Sequence, residues 1–131
     1  MCRLIRGGAL AAALLAWIFP LAAPAAIDQA SAHYIVPNWS FSMCRDRIQT
    51  ALRAEKFAIF EVPANSGDFR GYSNVREDAS GSLDTTNINC WPTSGGMRIT
   101  FGCASQTPDN HAQEICFRLI ARVFGNHPPK G

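Results

Sequence analysis

Apolar residues recur at intervals of three and four in two stretches of this 131-residue chain, and at intervals of two in a third. From Cys44 the apolar positions are Cys44, Ile48, Ala51 and Leu52, with Arg45, Arg47, Gln49 and Arg53 between them. That spacing gathers the apolar side chains on one face and predicts an amphipathic helix over 42–56. Ser40 or Ser42 can cap it by accepting from an orphan amide of the first turn. The second helical run is Ala112, Ile115, Cys116, Leu119, Ile120 and Val123. Ahead of it, Thr107-Pro108-Asp109 offers a hydroxyl cap, a proline at the first helical position and an early acid, and Gly125 supplies a stop. The third pattern alternates. Met97, Ile99, Phe101 and Cys103 share one side, and Arg98, Thr100 and Gly102 the other, as in a half-buried antiparallel strand.

The remaining elements are shorter. Thr85 to Trp91 reads as a strand joined to the alternating one by a turn over 92–96, with proline early and glycine late. Phe57 to Val62 is rich in aromatic and β-branched residues and stops at Pro63. His33 to Val36 gives a first strand ended by Pro37. Residues 63–84 hold three glycines, four serines, two asparagines and four acids. This segment reads as a long loop with at most a short strand over 69–75, and connections of such length are usually functional or disordered. The order is β-α-β-loop-β-β-α. It predicts an α+β fold, a small antiparallel sheet of about four strands with both amphipathic helices on one face.

The N-terminus has a different character. Arg3 and Arg6 precede the unbroken apolar run from Ala9 to Phe19, and Ala23-Pro24-Ala25 has the small-x-small form of a signal-peptidase site. The run is too short to span a bilayer, so the expectation is a cleaved signal peptide over 1–25 and no stable membrane anchor afterwards. A flexible mature N-terminus over 26–32, one domain over 33–125 and a flexible tail over 126–131 complete the organisation.

Export changes the reading of the cysteines. Cys2 leaves with the signal peptide, and Cys44, Cys90, Cys103 and Cys116 remain, an even set in a small secreted domain. No two have Cys-x-x-Cys spacing, which disfavours zinc and redox sites. Three pairings are possible. Cys44–Cys90 with Cys103–Cys116 is favoured because each bridge then ties one helix to one strand. Cys90–Cys103 is disfavoured, since the turn near Ser94 sets Cys90 against residue 97 or 98 and leaves Cys103 too far along.

Charge and motifs narrow the function by exclusion. Of twelve Lys and Arg, Arg3 and Arg6 leave with the signal peptide, so ten cations face ten acids. With no basic block, neither a nucleic-acid footprint nor a polybasic membrane signal exists. His33, His111 and His127 are scattered. The loop acids Asp68, Glu77, Asp78 and Asp84 lack calcium-loop spacing, and no catalytic or phosphate-binding motif occurs. No catalytic residue, metal or cofactor is assigned. Asn38-Trp39-Ser40 forms a glycosylation sequon of consequence only in a eukaryotic secretory route. The aromatic and arginine residues Trp39, Phe69, Arg70, Tyr72, Arg76 and Trp91 form a candidate binding patch. The reading is an exported, non-enzymatic binding or structural module whose partner is a protein, an envelope component or a small ligand, its oligomeric state left open. The alternatives are a small secreted hydrolase assembled from His111 and loop carboxylates, and an inhibitor of a secreted enzyme acting through 63–84.

Overall fold

The computed structural model describes residues 27–63, 70–79 and 81–129, so the segment expected to be a signal peptide and Phe69 lie outside the described residues. The chain runs β1 (Asp28–Val36), α1 (Phe41–Ala54), β2 (Ala58–Pro63), β3 (Arg70–Glu77), β4 (Leu83–Thr93), β5 (Gly96–Ser105) and α2 (His111–Phe124). The strands form one antiparallel sheet in the order β1-β5-β4-β3-β2.

Alternation decides which side of the sheet is covered. Along β5, Met97, Ile99, Phe101, Cys103 and Ser105 are buried while their neighbours are half-exposed. The register sets Ile88 opposite Phe101 and Cys90 opposite Ile99, so β4 adds its even-numbered residues to the same buried row. Against this row α1 packs Cys44, Ile48, Ala51 and Leu52, and α2 packs Ala112, Ile115, Cys116, Leu119, Ile120 and Val123. Each fully buried Ile, Leu or Val side chain stabilises by about 1.5–3 kcal/mol relative to exposure.

Both cross-links join a helix to this row. Cys44 of α1 is bonded to Cys90 of β4, and Cys116 of α2 to Cys103 of β5, with Cα separations of 6.4 and 5.9 Å. The hairpin turn falls between Thr93 and Gly96, which sets Cys90 opposite Ile99 rather than residue 97 or 98. Cys90 is thus four residues from the partner position of Cys103. Gly96 has φ +129, and a Cβ there would come within 2.4 Å of the Val36 carbonyl oxygen, so the hairpin tip needs glycine to lie against the end of β1.

Three expectations are corrected. The sheet has five strands, because Arg70–Glu77 of the supposed 63–84 loop is β3, paired on both sides with β2 and β4. Hydrophobic patterning misses it because covered residues described in it, Asn74 and Arg76, are polar: Asn74 is fully buried and bonds the Thr86 hydroxyl through Nδ2 and the Phe60 amide through Oδ1. The first strand begins at Asp28, within the 26–32 segment expected to be flexible, and pairs with β5 along its whole length. Lastly, α2 starts at His111, not after Thr107. Asp109 and Asn110 both have positive φ, and Asn110 gives no side-chain cap. The cap comes from another strand, since Asp28 Oδ2 accepts from the Ala112 amide at 2.8 Å. A carboxylate at a helix N-terminus also meets the positive end of its dipole.

Candidate functional site

The chemistry-bearing residues meet at one end of the layer between helices and sheet, where β3, β4 and β5 converge on the first turn of α2. Asp84 is fully buried at the centre. Its Oδ2 accepts from Arg76 Nε at 3.1 Å and Nη2 at 2.9 Å, and its Oδ1 from the Ser105 hydroxyl at 2.7 Å. His111 Nε2 approaches Oδ1 at 3.4 Å and is a buried nitrogen without a hydrogen-bond partner. Asp78 lies beside them. It accepts from the Ser82 amide at 3.0 Å and the Thr107 hydroxyl at 2.9 Å, which is why Thr107 does not cap α2.

Arg76 continues the cluster towards α1. Its Nη1 donates to the Glu55 carbonyl at 2.9 Å and lies 3.4 Å from the Glu55 carboxylate, while its guanidinium sits 4.5 Å over the Phe57 ring. Glu55 also receives Arg118 and Arg122 from α2. Burial alone would raise the Glu55 carboxyl, but the Arg122 hydrogen bond and the charges of Arg122, Arg118 and Arg76 outweigh it. The carboxyl is held below its ordinary range.

This arrangement closes on itself. A serine nucleophile needs an adjacent base and access to substrate, yet Ser105 and Asp84 are 1% and 0% exposed, and the serine proton is already committed to the carboxylate. One ligand atom each from Asp78, Asp84 and His111 falls within 4.8 Å of the others, a grouping of metal-binding residue types. The positive charge against Asp84 in this cluster is that of Arg76. Structurally, the cluster joins the ends of three strands to both helices.

A depression lies on the other side of the sheet. It measures about 570 Å³ and is lined by Gln29, Ser31, Thr85, Asn87, Gly102 and Ala104, with no titratable group among them. Gly102 forms its floor, being the position without a side chain between Asn87 and Ser31 in the register. Further along the same side Trp91 is 39% exposed with the Arg98 guanidinium 5.8 Å from its ring centroid, and Phe60 is 58% exposed.

The structure separates the members of the sequence-derived patch. Trp39 is half-buried on the helix side, stacked near Phe124 at 5.5 Å and under Arg47 at 4.9 Å. Arg76 belongs to the Asp84 cluster. Arg70 and Tyr72 stand opposite Cys90 and Ile88 in the β3–β4 register. Among the patch residues whose side chains are described, Trp91 is the one on the uncovered side. Sequence reading passed over Gln29, Ser31, Asn87 and Gly102, whose only signal is the polar half of strand alternation. No protein-family model matches the chain, and no curated protein matches it.

Proposed function

We propose that this chain is an exported, non-enzymatic binding module that takes up a protein, an envelope component or a small ligand on the open side of its sheet. The supporting observation is the division between the two sides. The titratable cluster is centred on the buried Asp84 and Ser105 beneath the helices, whereas the depression on the other side is open and lined by neutral amides and hydroxyls. An enzyme would bring its histidine and carboxylates to the concave site. Two cystines suit an oxidising compartment, in keeping with cleavage after Ala25. Within the earlier patch, Trp91 is the residue this reading retains.

The test is co-sedimentation of the mature, oxidised protein with envelope fragments of the source cells. A Cβ at Gly102 would make only a 3.4 Å contact, with the Asn87 carbonyl oxygen, so Gly102→Arg fills the depression while the strand keeps its place. Retention should fall sharply in Gly102→Arg and Asn87→Ala with unfolding unchanged. Wild-type retention in both variants overturns the reading.

A further inference from the structure

The two edges of the sheet are built differently. β2 is six residues long and ends at Pro63, and its Glu61 points to the helix side, where Arg45 approaches within 3.5 Å. A short strand, a proline and an inward charge are devices that prevent another strand from adding. β1 lacks the first two, and its one such charge, Asp28, stands at its first residue, engaged by the Ala112 amide. It is nine residues long without proline, and carries no Asp, Glu, Lys or Arg after Asp28. Among the described residues its only sheet neighbour is β5, so its outer row of backbone donors and acceptors faces outward.

The surface beside β1 is neutral apart from Asp28. A cleft of about 260 Å³ runs between β1 and α2, lined by Ala30, Ala32, Tyr34, Gln113 and Phe117, with Asp28 as its one charged residue. Phe117 is 61% exposed on its rim, Ile27 just before the strand is 58% exposed, and Ile35 within it 40%. The charged residues of α2 lie on its other flank, where Glu114 meets His111, and Arg118 and Arg122 meet Glu55.

We infer that β1 pairs antiparallel with β1 of a second copy, about a two-fold axis through Ala32, to form one continuous ten-stranded sheet. The strand is complementary to itself in the single register that overlaps all of Asp28–Val36. In that register Ala32 meets Ala32, Ala30 meets Tyr34 of the second copy, Ser31 meets its His33, Gln29 its Ile35 and Asp28 its Val36. A small residue faces the one large ring, and no like charges meet. Asp28 is already engaged by the Ala112 amide. Directly opposed residues of an antiparallel pair point to the same side, so the axis stands perpendicular to the sheet. Both helix layers then fall on one side, and the two Phe117 rims converge over the seam. The two open faces become a single surface. Such an isologous interface closes after two copies.

Sedimentation-velocity measurements on the mature, oxidised protein, from low micromolar to submillimolar, test this. The expected result is a dimer whose formation is insensitive to salt, since no ion pair crosses the seam. Ser31 and His33 are exposed, so Ser31→Lys with His33→Lys leaves the monomer fold intact and sets lysine opposite lysine twice. That double variant should weaken association by at least about tenfold. Ser31→Lys with His33→Glu sets opposite charges in the same places and should restore association. A wild-type protein that stays monomeric throughout the range overturns the inference. So does a double-lysine variant that dimerises as strongly as wild type, or a chain that accepts a foreign strand at β1 yet never its own.

Discussion

The two sides of this sheet spend their polar residues in opposite ways. On the covered side Asp84, Asn74, Thr86 and Ser105 are buried, and their side chains are tied into hydrogen bonds with residues distant in sequence. On the open side Gln29, Ser31, Thr85 and Asn87 surround a depression with hydrogen-bonding groups turned to solvent. The same residue types therefore hold the fold on one side and remain available on the other. Burial decides the role, because a paired polar group in a dry interior cannot be disturbed without leaving its partner unsatisfied.

Substitutions on the covered side should carry the largest costs. Asp84→Ala leaves Nε and Nη2 of the part-buried Arg76 without their acceptor and removes the Ser105 acceptor, with an expected loss of about 3 kcal/mol in urea unfolding of the oxidised protein. A loss below about 1 kcal/mol would make the cluster an accessory feature rather than a brace. The cystines carry costs of the same order. Replacing Cys44 and Cys90 by alanine should cost about 4 kcal/mol and replacing Cys103 and Cys116 about 3 kcal/mol, the order set by the lengths of the loops they close. Equal costs would show that native packing, not the freedom of the unfolded chain, controls their effect.

Acid offers a milder way to sharpen the contrast. The Glu55 carboxyl is held below its ordinary value of 4.5 in the folded chain, so its contribution to stability is present above that value. It is lost as pH falls below 4.5 and the folded carboxylate takes up its proton. Glu55→Gln should lower stability at neutral pH and flatten the acid limb of a plot of stability against pH. An unchanged limb would remove Glu55 from the account. The smallest effects belong to the open side, where Asn87→Ala and Trp91→Ala should each change stability by no more than about 0.5 kcal/mol.

The same contrast explains what could be read from the chain. Wherever burial is apolar the pattern is legible: Cys44, Ile48, Ala51 and Leu52 disclose α1, and Met97 to Cys103 disclose β5 and the direction of its cysteine. The favoured pairing of the cysteines followed from those faces. Wherever burial is polar the pattern misleads. β3 has the composition of a loop because its covered positions, Asn74 and Arg76, match Thr86 and Asp84 across the sheet rather than apolar neighbours. The cap of α2 is equally hidden, supplied by Asp28 from 84 residues earlier. β1 escaped notice over 28–32 because Gln29, Ala30, Ser31 and Ala32 carry no β-branched or aromatic side chain. Asp78, Asp84 and His111 were each visible as titratable residues, but their convergence depends on three strand ends meeting one helix.

The central claim is that the cluster around Asp84 supports the structure while the open face does the binding. It is tested most directly by measuring envelope retention and unfolding temperature on two variants side by side, His111→Ala and Gly102→Arg. The account predicts a crossed result: His111→Ala lowers the unfolding temperature and keeps retention, and Gly102→Arg keeps the temperature and loses retention. Loss of retention in His111→Ala at an unchanged unfolding temperature would contradict it.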